Sequence, residues 1–257
     1  FNYEDIQGAV LDLRNNGGGY LHEADSLTRL FIDYGPTVQV KNPNREVEIL
    51  NSFRSSKVWN KPLIVLVNKY SASASEIFAG AMQDYNRALV VGQTTFGKGS
   101  VQRFKNTNNG QIKLTDSLYY RVTGMPTQIY GIEPNLEIPT LTDSDRLGES
   151  NYENAIRPNI ISDTYFVKND LFDVDGLKEI LLEQTSNSKY FLKLEELKKQ
   201  KDNGLKLSLN IQLREELKQR NEVRNFELAN LTREIAGKSP YETYDEYAEE
   251  NSENESF

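Results

Sequence analysis

An α/β core of about 140 residues, followed by a mainly α-helical region, is the fold class that this 257-residue sequence predicts. Three observations predict it. Over residues 1–140, short apolar runs alternate with segments of helical spacing, as in a layered β/α core. Around residues 139–160 the texture turns polar, with Asp143, Asp145, Glu149, Asn151 and Pro158. Lys/Glu-rich amphipathic periodicity then takes over. The expected organisation is a core over 1–140, a linker over 141–160, a helical domain over 161–240 and an acidic tail over 241–257.

The elements follow in order. Gly8 to Leu13 is a short apolar run that ends in a Gly-rich loop, Asn15-Asn16-Gly17-Gly18-Gly19. Glu23 to Ile32 carries Leu27, Leu30 and Phe31 at helical spacing. Val38-Gln39-Val40 reads as a strand, and Asn42 to Asn60 as polar loop. Pro62 to Val67 suits a buried strand. Ser75 to Tyr85 places Ile77, Phe78, Ala81 and Met82 on one helical face, and Ala88 to Gly92 is a second buried strand. Ser100 to Phe104 and Ser117 to Val122 alternate as strands do. Beyond the polar boundary, Gly176 to Thr185, Lys189 to Gln200 and Leu213 to Ala236 have helical period. Leu205, Leu207, Leu209 and Ile211 alternate, which fits either a strand or the entry to the last helix.

Composition excludes several classes. No apolar run approaches the ~20 residues of a membrane-spanning helix. Cysteine is absent, so thiol catalysis, disulfides and Cys-ligated metals are excluded. His22 is the single histidine; a His-rich metal site is impossible, and any Ser-His-Asp triad must use that residue. It has no carboxylate motif to orient it and reads as an ordinary surface or boundary side chain. No cofactor is expected. The net charge is −8, but residues 241–257 hold seven carboxylates and no Lys or Arg. The body is therefore near neutral and lacks the basic field that nucleic acid requires. The tail reads as a solvated, largely disordered end. The sequence opens at Phe1, without Met or signal peptide, and is expected to be an excised piece or mature fragment.

Two segments carry chemistry. Ser71-Ala72-Ser73-Ala74-Ser75-Glu76 lies between a buried strand and a helix. A small-residue turn there can expose a hydroxyl beside a helix N-terminus, whose N–H groups favour a developing oxyanion. The plainer reading is helix capping by Ser75 with Glu76 behind it, and the two can coexist on different serines. The second segment, Gly92 to Ser100, nearly matches a phosphate-binding loop. Gly99, however, stands where the metal-binding hydroxyl belongs, and a strand-like stretch follows where a helix is required. Lys98 then serves either as surface decoration or as a base. With no Cys and one His, a Ser–Lys dyad is the economical nucleophilic route. Such a Lys must lose about 3 units from its free value near 10.4 to work at neutral pH. That calls for an apolar site, and Phe96 and Val101 are suitable walls.

Asp12-Leu-Arg-Asn-Asn-Gly-Gly-Gly19, Ser71 to Glu76 and Thr95-Phe-Gly-Lys-Gly-Ser-Val-Gln102, with Ala79 to Tyr85 and Arg87 to Gly92, resemble the C-terminal processing (tail-specific) serine proteases of bacteria. The resemblance covers residues 8–139, and the tail-specific branch is closest because a charged helical region follows. It implies a ClpP/crotonase-like layered protease core. It also implies a serine endopeptidase that cleaves proteins at or near their C-termini through an acyl-enzyme. On the matching positions, Ser73 is the nucleophile, Lys98 the general base and Gln102 the residue that orients the Lys. The Ala74 N–H with that of Gly19, or of Gly18, forms the oxyanion hole, Asp84 is structural support, and Glu76 and Thr95 hold further motif positions. Implied partners are protein or peptide substrates with accessible C-termini, an adaptor, and an upstream PDZ domain of the same parent chain. The implied setting is the periplasm or cell envelope.

Departures accompany the match. The PDZ domain and the first strand and helix of the core are not in these residues. The Gly-Val-x-Pro-Asp-Ile signature reads Gly131-Ile-Glu-Pro-Asn-Leu136, and Lys105 to Leu118 is short. The alternative reading is a non-catalytic peptide- or adaptor-binding fragment of such a protease.

Overall fold

A computed structural model describes residues 6–53, 57–141, 147–200 and 209–254. The chain forms two compact units, one of residues 1–138 and 142–179, the other of 139–141 and 180–257.

The first unit holds β1 (Ala9–Asp12), α1 (Leu21–Thr28), β2 (Tyr34–Lys41), β3 (Val47–Phe53), β4 (Leu63–Val67), α2 (Ala74–Asp84), β5 (Leu89–Gly92), β6 (Ser100–Thr107), β7 (Gly110–Tyr120) and β8 (Leu136–Glu137). Two four-stranded sheets result. One is parallel, in the order β1-β4-β5-β8; the other has the order β3-β2-β7-β6 and is antiparallel. The unbroken apolar text of β4 follows from its central place in the parallel sheet.

Helix α2 is buried along almost its whole length. Phe78, Ala79 and Met82 join Val65, Val67 and Val90 of the parallel sheet in one core. Ile77 joins Val38 of β2 and Tyr119 of β7 in a second cluster. The helix thus lies between the two sheets, which is why it carries so few solvent-facing residues. Arg87 is 1% exposed, and carbonyls take two of its three nitrogens: Nε donates to Phe31 O (3.0 Å) and Nη2 to Trp59 O (2.5 Å) and Lys61 O (3.2 Å), while Nη1 is buried without a partner among the described residues.

The stretch Asn42 to Asn60, expected as polar loop, contains β3, whose apolar residues are interrupted by Glu48 and Asn51. Pairing from Lys41↔Val47 to Tyr34↔Phe53, closed by a turn in which Asn42 and Glu46 bond to each other, makes it a strand. The polar text after residue 139 also differs from its reading as a linker. Residues 147–173 run back along the first unit: Ile161 N–H meets Gly124 O, Thr164 N–H meets Val122 O and Asn169 N–H meets Tyr85 O. Phe166 packs on Tyr85 at 5.3 Å. The strap has no regular periodicity and leaves Ile160, Tyr165 and Val167 exposed, so it reads as a linker although backbone bonds at Ile161, Thr164 and Asn169 fasten it to the fold.

Helix α3 (Val174–Ser186) crosses from the residues of the first unit into those of the second, which also contains α4 (Lys189–Gln200), α5 (Ile211–Ile235) and α6 (Tyr244–Asn254). Leu194 of α4 is 2% exposed, and Lys193 bridges Glu196 and Glu227. Leu205 and Leu207 lie outside the described residues, while Ile211 opens α5 behind the Asn210 N-cap. The tail expected as disordered contains α6. Tyr241 and Tyr244 contact Tyr247, Tyr244 and Tyr247 pack on Phe226, and the Arg233 guanidinium lies 4.0 Å over Tyr241. Aromatic residues three apart supply the apolar stripe that the carboxylate count conceals. Among the described residues no helix is long and apolar enough to cross a membrane.

Gly92 closes β5 at φ +134°, and a Cβ there would sit 1.9 Å from Val67 O. Gly92→Ala is expected to cost about 2 kcal/mol or more in denaturant unfolding, because both the backbone conformation and the contact must yield.

Candidate active site

The site grows from the loops after the carboxyl ends of two adjacent parallel strands, β1 and β4. Ser71 Oγ, fully buried, donates to Leu13 O and accepts from Asn68 N–H. Asn15 and Asn68 bond reciprocally at 2.9 and 2.8 Å. Asn16 O accepts from Ala72 N–H (3.0 Å) and Ser75 Oγ (3.1 Å). The Gly-rich loop is therefore stitched to the turn before α2. Gly18 sits at φ +95°, where a Cβ would lie 2.5 Å from Ala72 O and 2.8 Å from Ser73 Cβ, so only glycine fits.

Ser73 stands at the cap position of α2 with φ 57° and ψ −117°, a strained backbone for a residue with a side chain. Capping was expected at Ser75. The structure moves it two residues earlier, because Glu76 returns Oε2 to the Ser73 N–H at 2.7 Å while Ser75 Oγ turns to Asn16.

Glu76 is fully buried and accepts four hydrogen bonds. Oε1 takes Thr95 Oγ1 (2.5 Å) and Gly97 N–H (2.6 Å); Oε2 takes Ser73 N–H and Lys98 N–H (2.9 Å). Burial pushes its carboxyl above the ordinary 4.5, against the pull of these donors. Thr95 Oγ1 also accepts from Ile132 N–H, tying the Lys98 loop to the segment before β8.

Lys98 is half-buried between two glycines that the packing requires. Gly97 has φ +89°, and a Cβ on Gly99 would lie 2.4 Å from Gln128 N. Gly99 N–H donates to Gln128 Oε1, whose amide reaches Glu149. The N–H groups of Gly97, Lys98 and Gly99 are all engaged by Glu76 and Gln128, and Ser100 opens strand β6. A phosphate-binding loop needs those groups free and a helix after them, so that reading does not hold.

Tyr119 of β7, 2% exposed, places its hydroxyl between Ser73 O (3.0 Å) and Lys98 O. Burial, then the charges of Glu76 and Glu149, raise this phenol well above 10. Tyr119 and Gln128 carry no motif in the sequence; their roles arise from tertiary contact alone.

Ser73, Ala74, Gly19, Lys98 and Gln102 all line one cleft of about 650 Å³, with Val101 and Tyr119 among its other walls. Lys98 and Gln102 also border a second cavity of about 500 Å³, against Phe96 and Tyr152. Among the described residues no hydrogen bond joins Ser73 Oγ, Lys98 Nζ and the Gln102 amide to one another. His22 lines the cleft as well, and no hydrogen bond among the described residues orients its ring. Asp84 lies apart from the cleft. Burial raises its carboxyl, and Arg121, which donates Nε at 3.1 Å, pulls it back down.

Residues 1–138 match Peptidase family S41. The chain is 35% identical to the tail-specific protease of Haemophilus influenzae over 238 residues, 89% of this chain and 32% of that protein. It is 42% identical to a carboxy-terminal-processing protease of Bartonella bacilliformis over 137 residues, 52% of this chain and 32% of that protein. Among solved structures, a photosystem II D1 C-terminal processing protease aligns with a TM-score of 0.49 and 34% identity, over 52% of this chain and 35% of that one. The matched chain thus spans about a third of the length of these relatives. It is a peptidase-class α/β chain, and it belongs to Peptidase family S41.

Glu76→Gln keeps the shape but replaces an acceptor oxygen with a donor, leaving buried N–H groups unmatched. The expected cost is about 2–4 kcal/mol in chemical denaturation. Because the folded state holds the Glu76 proton more tightly than the unfolded chain, wild type gains stability from this group as pH falls through the window above 4.5. The gap between the two proteins should widen there.

Proposed function

We propose that this chain is the catalytic part of a serine endopeptidase that cleaves protein substrates at or near their C-termini. The observation that carries the reading is Ser73, held in a strained turn at the N-terminus of α2, sharing one cleft with Lys98 while Glu76 binds the N–H of both. The names of the tail-specific and carboxy-terminal-processing relatives support the substrate end.

Neutral Lys98 takes the Ser73 proton as Oγ attacks the scissile carbonyl. The oxyanion that forms lies at a helix N-terminus. Its donors are the N–H groups of Ala74 and Gly19, neither of which has an acceptor among the described residues. Gly18 is a poorer candidate because its N–H is taken by Asn16 Oδ1 at 2.9 Å. Collapse returns the proton from Lys98 to the leaving amine and leaves Ser73 acylated. Lys98 then draws a proton from water, which hydrolyses the ester. Gln102, on the same cleft, orients the ammonium when substrate closes the dyad. A PDZ domain in the parent chain, an adaptor and an envelope location belong to the same reading through the family resemblance.

In the full-length protein, Ser73→Ala and Lys98→Ala should each lower peptide hydrolysis by about 10³-fold or more with the circular dichroism spectrum unchanged. Peptide binding with turnover indifferent to Ser73→Ala would instead favour a non-catalytic module. Gly19→Pro removes one oxyanion donor and should lower kcat about 10²–10³-fold. Gly19→Ala, whose Cβ meets nothing within 4 Å, is the steric control and should stay near wild type.

A further inference from the structure

We infer that Tyr119 is a positioning residue for the proposed reaction, fixing the separation of Ser73 and Lys98 through their carbonyl groups; the inference rests on the Ser73–Lys98 reading. Glu76 Oε2 holds the N–H of Ser73 and the N–H of Lys98. The Tyr119 hydroxyl lies against the C=O of the same two residues. Each residue is therefore gripped at both ends of its backbone, by one acid and one phenol that are themselves buried.

The two carbonyls do not depend equally on that phenol. Ser73 O already accepts from Glu76 N–H (2.9 Å) and Ile77 N–H (3.1 Å) as α2 begins. Lys98 O has Tyr119 as its one donor among the described residues. A phenol O–H carries a single proton, so the Lys98 carbonyl has the stronger claim on it. Tyr119 is itself placed by the antiparallel sheet, opposite Val40 of β2 and with its N–H on Gly99 O at 2.9 Å. The base is thereby referenced to the nucleophile through a strand that belongs to neither loop.

Tyr119→Phe keeps the ring and removes only the hydroxyl. It is tested in the full-length protein beside Val38→Ala, a cavity in the same apolar cluster, and Ser73→Ala. The expected result for Tyr119→Phe is a kcat lower by about 10- to 100-fold, with KM within about twofold and the pH midpoint of kcat/KM displaced. Val38→Ala should lower Tm by a comparable amount and leave kcat and the pH midpoint in place. The inference is overturned if Tyr119→Phe retains wild-type kcat and pH midpoint, or if Val38→Ala reproduces its kinetic defect. Residual activity in Ser73→Ala would sink the dyad reading itself. An inactive Ser73→Ala beside a wild-type-like Tyr119→Phe would sink only the role given to Tyr119.

Discussion

The carboxylate of Glu76 is the constraint on which the site depends. Taking an ionised acid out of water costs several kcal/mol unless its lone pairs are met. Here every donor that meets them comes from a segment the site must place: the Ser73 turn, the Gly97-Lys98 loop and Thr95, which in turn holds Ile132. Charge-assisted bonds of this kind are short and directional. Moving either loop by an ångström would therefore uncover a buried charge, and the two loops are kept in register by that penalty rather than by contact between their side chains.

The same logic explains where strain is tolerated. Ser73 adopts a backbone conformation that a side chain disfavours by about 1–3 kcal/mol. It persists because its N–H is held by Glu76, its carbonyl by the first turn of α2 and by Tyr119, and its Cβ abuts the one position, Gly18, that has none. Asn16 completes the arrangement. Its backbone carbonyl fixes Ala72 and Ser75, and its side chain absorbs the Gly18 N–H, while Gly19 lines the cleft and its N–H has no acceptor among the described residues. The Gly-rich loop is thus a rigid wall fastened at its base.

Much of this was legible in the sequence, and the reasons are local. Uninterrupted Leu, Ile and Val at residues 63–67 suit a buried strand, and the apolar face of 77–82 a packed helix. Ser73, Lys98, Gln102, Gly19 and Ala74 sit in short motifs, and they line one cleft. What stayed hidden depends on pairing across distance. Val47–Phe53 becomes a strand because β2 is beside it, and 147–173 becomes a strap because Val122, Gly124 and Tyr85 offer it backbone partners. Tyr119 and Gln128 look like any strand or turn residue until the fold brings them under residues 73 and 98–99. The tail misled for a compositional reason, since seven carboxylates outweigh three tyrosines in any average but not where Tyr241, just before α6, and Tyr244 both pack on Tyr247.

The division of labour between the two sheets follows from these contacts. The parallel sheet delivers the Ser73 turn and the Gly-rich loop from neighbouring strands β4 and β1, so those parts share one edge. The antiparallel sheet delivers Gln102 on β6 and Tyr119 on β7, with Lys98 two residues before β6 begins. Neither sheet alone places both Ser73 and Lys98. Helix α2 lies between them and carries Glu76 in its first turn, with Ile77 facing one sheet and Phe78 the other. The relative placement of Ser73 and Lys98 on one cleft is therefore a property of how the two sheets pack on one helix. A substitution along that helix that shifts one sheet against the other would move Ser73 relative to Lys98 without touching either.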